Sequence, residues 1–254
     1  MEIRRLHANL NDFNDGVFEI SGDEFNYAVK VLRQKQGFSV IVNVGDGYDY
    51  LGVITEIKKD RLCVKVSEKV ENPATPKNKI TLYQGSCKLG KNDFIVQKAV
   101  ELGVSRVVFF TSDFVTEKDV NLERLNKIAK EALKQCDRAD EVTVEFTTFE
   151  NAVNVAENGI IFFEGDCDLS VNEIPSDIKS YFVGSEGGFS EKEISLAKEK
   201  GIKTVSLGKR ILRAETASVV ATTLVQLKTG GFYESLRIHA RLQSQPIRKR
   251  RDNQ

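Results

Sequence analysis

Two short stretches carry the residue types from which a ligand site is built. Gly184-Ser185-Glu186-Gly187-Gly188-Phe189-Ser190 sets three glycines and a carboxylate between the apolar run Tyr181-Phe182-Val183 and a segment that reads as a helix. Further on, Leu207-Gly208-Lys209-Arg210-Ile211-Leu212-Arg213-Ala214-Glu215-Thr216 again passes from a strand through a glycine into a helix, with two arginines, a glutamate and a threonine at the entrance. Glycine loops that open helices often hold phosphate. That chemistry fits poorly here. Ser190 and Glu193 form a capping box, which occupies two of the amide donors an anion would need, and Glu186 would repel one. The steric use of glycine remains: Gly184, Gly187 and Gly188 permit unusual backbone and the close approach of a ligand. A plain strand-to-helix turn is the bland alternative, and the position at the end of a buried strand favours a site. Around Arg213, Glu215 and Thr216 the ordinary explanation is helix capping with an Arg–Glu pair. Two arginines in a second glycine turn read more as a site.

Another glycine stretch, Gly85 to Lys91, satisfies G-x-x-x-x-G-K, but Asn92 stands where a phosphate loop needs Ser or Thr to hold magnesium. It is set aside.

The elements that must position these loops follow from periodicity. The first 72 residues contain β-branched and aromatic runs, "VFEI", "FSVIVNV", "YDYLGVITEI" and "RLCVKVSEKV", interrupted by one amphipathic stretch with Phe25, Ala28, Val29 and Leu32 on one helical face. This predicts a small barrel-like domain over 1–72. Pro73 and Pro76 mark a boundary. Beyond it strands alternate with helices: strands at "ITLYQ", "RVVFFTS", "EVTVEF", "GIIFFEG", "SYFVG" and "KTVSLG", and helices over Asp93 to Leu102, Leu122 to Cys136, Glu191 to Lys200 and about Glu215 to Lys228. Apolar strands such as "VVFF" and "IIFF" suit a sheet covered on both faces, so 73–233 reads as α/β with a mostly parallel sheet. The last helix, with Ala217, Val219, Val220, Ala221 and Leu224, is apolar enough to be buried in the core or against another subunit. From Glu234 the chain is polar, and 234–254 is expected to be a disordered tail.

The 254 residues carry a formal net charge of zero, so no overall basic field announces a nucleic-acid partner, although segregated charge can still make a local one. Cys63, Cys87, Cys136 and Cys167 lie far apart and the two histidines, His7 and His239, are solitary. Metal-ligand spacing is absent, so no metal is expected, and the cysteines read as buried thiols in a reducing compartment. No apolar run reaches the length of a membrane span or of a signal peptide core, which predicts a cytoplasmic protein with no membrane partner.

With these residues in view, the chain resembles a known family, the bacterial 16S ribosomal RNA uridine N3-methyltransferases (the RsmE family) of the SPOUT class. The resemblance is carried by "KLGKNDFIVQKAVELGVSRVV", "EALKQCDR", "VGSEGGFSEKEI" and "LGKRILRAETA", with Val31-Leu32-Arg33 ahead of them. These motifs follow in the family's order and span both halves of the chain. The chain departs from the pattern at Ser185 and Lys209 (usually Pro), Ala214 (usually Thr) and Tyr27 (usually His). The first three lie in the two glycine loops and Tyr27 in the N-terminal domain.

The resemblance implies a PUA-like β-barrel ahead of a SPOUT α/β domain with a C-terminal trefoil knot, S-adenosyl-L-methionine held in that knot, and a homodimer built around it. It implies methylation of N3 of a uridine, number 1498, in the 16S rRNA of the small ribosomal subunit. Val183, Gly184, Glu186, Gly187, Gly188, Leu207, Gly208, Ile211, Leu212 and Thr216 are assigned to the cofactor pocket, mostly through main-chain contacts. Arg213 is expected to steady charge on the uracil oxygens, with Glu215 orienting it or taking the proton. Arg33, Lys88, Lys91 and Arg138, within the motifs, and Arg4 and Arg5 are expected to grip RNA through phosphates. Two alternatives stay open: a non-enzymatic RNA-binding protein, and a SPOUT enzyme acting on another RNA or another base.

Overall fold

The computed structural model describes residues 3–88, 90–115 and 120–232. The stretch 234–254, expected above to be a tail, lies outside the described residues.

Strands β1 (Arg4–His7), β2 (Phe13–Asn14), β3 (Val17–Ser21), β4 (Ser39–Asn43), β5 (Tyr48–Ile57) and β6 (Arg61–Glu71) form one sheet in the order β1-β4-β5-β6-β3-β2. All its pairings are antiparallel except that of β1 with β4. The long hairpin of β5 and β6 changes register after Leu51 and after Ile54. Such bulges bend a strand and increase its twist, which lets the sheet wrap its apolar face. That face holds Leu6, Phe18, Ile20, Val40, Val42, Ile54, Leu62 and Val64. Into it helix α1 (Gly22–Asn26) and the following π-helical turn Tyr27–Val31 insert Phe25 and Ala28, with Val29 and Leu32 partly buried, as the amphipathic pattern predicted.

The second sheet contains β7 (Thr81–Gly85), β8 (Arg106–Thr111), β9 (Thr143–Thr148), β10 (Gly159–Phe162), β11 (Ser180–Val183) and β12 (Lys203–Val205), in the order β12-β10-β11-β7-β8-β9. Every pairing in it is parallel. Helices α2 (Lys91–Glu101), α3 (Leu122–Gln135) and α6 (Ala214–Thr229) supply apolar residues to one face, and α4 (Phe149–Val155) and α5 (Glu191–Glu199) to the other. Alternate residues of β8 divide accordingly, with Val107 and Phe109 on the first side and Val108 and Phe110 on the second. A sheet buried on both faces needs apolar side chains at every strand position, which explains runs such as "VVFF".

The two sheets are joined by a polar seam. Arg5 donates to both carboxylate oxygens of Asp49 (2.6 and 3.0 Å) and to Asp137 (2.8 Å). Asn72 donates to Asp49 and to the Asp137 carbonyl, and Asn43 donates to the Arg138 carbonyl. Beside it, Glu24 accepts from the His7 amide and from Lys134. Burial, reinforced by Lys134 and opposed by Glu24, pushes the His7 imidazole from 6.5 down to about 4. The folded state therefore disfavours the protonated ring. The unfolded chain takes up that proton first, so stability falls as the pH is lowered from about 6.5 towards about 4. Urea unfolding midpoints at about pH 7 and about pH 4.5 should differ more in the wild type than in His7→Gln. Equal pH dependence in the two proteins would remove His7 as the cause.

Candidate active site

The registers of the second sheet bring three loops to one edge. Phe162, Val183 and Val205 are level with one another, and Val183 is level with Gln84. The segments that leave β10, β11 and β12 therefore emerge side by side. Between them lies an open cleft of about 720 Å³ including its mouth, of a size that suits a small ligand. Its walls include Val183, Gly184, Gly187 and Gly188 from the first glycine loop and Leu207, Gly208 and Leu212 from the second. Seven of the residues assigned to the cofactor from sequence thus meet around one space.

The first loop is held from below. Gln84, fully buried, donates to the Gly184 carbonyl (2.9 Å), and a side chain on Gly85 would collide with the Ser185 amide. A Cβ on Gly187 would come within 2.5 Å of the Phe114 Cβ. That glycine serves the packing of the protein against itself. Gly188 (φ +71°) and Gly208 (φ +100°) need glycine for their backbone, and at neither does added carbon meet anything within 4 Å. These two leave open space in the cleft. The capping box is present as predicted, with the Ser190 amide donating to Glu193 (2.8 Å) and the Glu193 amide to Ser190 Oγ (3.3 Å). Glu193 also accepts from the Asp113 amide, and Ser190 Oγ donates to Asp113. In the Gly85 to Lys91 loop the Ser86 amide goes to the Phe110 carbonyl, the Cys87 amide to Asn92 Oδ1 and the Lys88 amide to Glu186. These engaged amides stand against a phosphate at either loop.

Other assignments come out differently. Glu186 turns from the cleft to Lys91 (3.0 Å), on the first turn of α2. Burial would raise its carboxyl, but the backbone amides and the Lys91 ammonium outweigh that and hold it below the ordinary range. Ile211, 84% exposed, and the exposed Thr216 do not line the cleft. Glu215 lies 3.5 Å from Lys91, whereas Arg213, at the N-cap of α6, is exposed and has no ion-pair partner among the described residues. The expected Arg213–Glu215 pair is therefore not formed.

Among the six basic residues assigned to RNA, Arg4, Arg33 and Lys88 are exposed. Arg5 and Arg138 are corrected to structural roles. Arg5 is held in the interdomain seam. Arg138, 2% exposed, is bidentate to Asp140 and donates to the Val100 and Val104 carbonyls. Lys91 is engaged by two carboxylates, with Glu186 the chief reason its ammonium is held above its usual range. Phe162, Phe163, Glu164 and Ala217 line the cleft and were missed. The glycine of "GIIFFEG" was the available signal, but only the strand order shows that β10 lies next to β11.

Residues 74–226 match the model of an RNA methyltransferase domain, and residues 20–67 that of an RNA methyltransferase PUA domain. The chain belongs to the RNA methyltransferase family. Among its relatives in that family, the ribosomal RNA small subunit methyltransferase E of Rickettsia conorii is 30% identical over 237 residues, covering 89% of this chain and 96% of the relative. The protein of the same name from Bacillus subtilis is 28% identical, covering 84% and 90%. The crystal structure of a ribosomal RNA small subunit methyltransferase E from Neisseria gonorrhoeae bound to S-adenosyl methionine superposes with a TM-score of 0.78 at 25% identity, covering 89% of this chain and 98% of that one. Among the described residues, no helix of this RNA methyltransferase is long and apolar enough to cross a membrane.

Proposed function

We propose that this protein methylates N3 of a uridine, number 1498, in the 16S rRNA of the small ribosomal subunit, with S-adenosyl-L-methionine as methyl donor. The observation that carries the reading is the cleft between the three loops. It offers backbone at Gly188 and Gly208 and apolar walls from Val183, Leu207 and Leu212, and the entrance of α5 beside it is closed by its own capping box. These features fit a nucleoside carrying a sulfonium. The donor would supply an electrophilic methyl group and nothing more.

The protein must align uracil N3 with that methyl and deal with the N3 proton. Arg213 is assigned to the uracil oxygens, where charge accumulates as the proton leaves. Its exposed position beside cleft-lining Leu212 and Ala214, with no competing ion pair, supports this. Glu215, the carboxylate in the first turn of α6 with its Oε2 3.5 Å from the Lys91 ammonium, is assigned the proton. We further propose domain limits of 1–72 and 73–233. A knot would be formed where the chain returns from edge strand β12 to lay α6 on β11 and α2. A homodimer would use the outer face of α6, where Leu227 is 43% exposed. Work on a ribosomal subunit places the protein in the cytoplasm in this reading.

The test adds purified protein and methyl-labelled donor to small-subunit particles lacking the modification, followed by mapping of the labelled nucleotide. Label at uridine N3 is expected. Label on another base would overturn the target, and donor binding without any label would overturn the enzyme.

A further inference from the structure

The seam between the two domains exposes an aromatic ring and a row of cations that the proposed chemistry does not use. Tyr27 is 39% exposed, and Lys134 of α3 lies 5.2 Å from the centre of its ring. Lys127, Lys130 and Lys134 follow one another at intervals of three and four on α3, so they share one face of that helix. Lys134 donates to Glu24 of the N-terminal domain, which turns this face towards that domain. Glu24, the one carboxylate bonded to these lysines among the described residues, is already engaged by Lys134 (2.7 Å) and the His7 amide (2.9 Å), and Glu131 stands among the lysines on the helix.

Arg33 adds a conformational argument. The Leu32 amide reaches back to the Tyr27 carbonyl (2.9 Å), and the Gln34 amide to the Ala28 carbonyl (3.0 Å). This is the wide end of the π-helical turn, and a helix end is commonly left through a left-handed residue that is usually glycine. Here that residue is Arg33, with φ +53°. An arginine in the left-handed region is strained where glycine would not be, and non-glycine residues held in this way gather at functional sites. Arg33 is exposed. No contact within the described residues accounts for its presence.

An exposed ring beside cations on both sides of a seam is the arrangement that binds unpaired nucleic acid: the ring stacks on a base and the cations follow the backbone. We propose that Tyr27, Arg33 and the lysine row Lys127, Lys130 and Lys134 form a single-strand RNA site spanning both domains, in which an unpaired base stacks on Tyr27. The inference rests on the RNA substrate proposed above and names the part of it that is gripped away from the methyl-transfer cleft.

The test measures fluorescence anisotropy of a labelled unstructured RNA oligonucleotide, and of the same strand annealed to its complement, against wild type, Tyr27→Ala, Tyr27→Phe and Arg33→Gly. Tyr27→Ala should weaken single-strand binding roughly ten- to a hundredfold and duplex binding little, and Tyr27→Phe should restore it. Arg33→Gly should hold or raise the thermal midpoint while weakening RNA binding and flattening its salt dependence. Unchanged single-strand affinity in Tyr27→Ala, or equal losses for strand and duplex, would overturn the stacking site. Titration with S-adenosyl-L-methionine separates the two readings. A protein that binds RNA through Tyr27 but takes up no donor would sink the methyl-transfer reading and leave the seam standing.

Discussion

Arg213→Ala is expected to lower methylation turnover by about two to three orders of magnitude, with binding of S-adenosyl-L-methionine unchanged. The size follows from the cost of removing one preorganised donor from a site of developing negative charge. The selectivity follows from position: the neighbours Leu212 and Ala214 line the cleft, and Arg213 itself does not. The folded chain gives the guanidinium no ion pair among the described residues, so its loss leaves no buried carboxylate behind and stability should move little. Single-turnover rates with saturating donor, alongside calorimetric titration of the donor, measure both halves. Wild-type turnover in the variant would end the assignment, and a parallel loss of donor binding would move Arg213 into the cofactor pocket.

Arg138→Leu is expected to cost about 3–5 kcal/mol of unfolding free energy, the range for removing one partner of a buried ion pair. Among the described residues the Asp140 carboxylate, 5% exposed, would keep only Lys79 at 3.3 Å, the Val104 carbonyl would lose its Arg138 donor and the Val100 carbonyl would keep the Gly103 amide. Replacing Asp140 as well should recover much of the loss, because two apolar residues leave no stranded charge. Arg138→Lys should fall between the extremes, since an ammonium cannot fork across both carboxylate oxygens. Urea denaturation of the four proteins decides the matter. A single variant within 1 kcal/mol of wild type, the level of an exposed pair, would return Arg138 to the surface.

Arg138 also shows where reading from sequence stops. Its motif and its charge point to RNA, but the carbonyls that bury it belong to residues more than thirty positions earlier, and no local pattern predicts that meeting. The same holds for β1. Arg4 and Arg5 make it look like a solvated start, and it becomes a strand only through parallel pairing with β4. Helix α4, seven residues long, is too short for a 3.6-residue period to declare itself. What could be read depended on chemistry confined to a few neighbours. The apolar strands of the doubly covered sheet, the Ser190–Glu193 cap and the glycines at the two turns each announce themselves within a short window. The third wall of the cleft, Phe162 to Glu164, does not, because strand adjacency is a property of the whole topology. Gly187 was read as a place where a ligand approaches the backbone, but what approaches there is Phe114.

The network that joins Arg5, Asp49, Asn72 and Asp137 across the two sheets has a bearing on how a target is chosen. Opening that seam would take the Arg138 carbonyl from Asn43, which is 2% exposed, and break the Arg5–Asp137 and Lys134–Glu24 pairs, so hinge motion between the domains is costly and the span from Tyr27 to the cleft is held. With RNA anchored at Tyr27 as proposed, a rigid gauge of this kind would accept only a strand whose anchoring point and reacting nucleotide already lie that far apart. Discrimination would then rest with the shape of the nucleic acid, and the protein would act as a caliper.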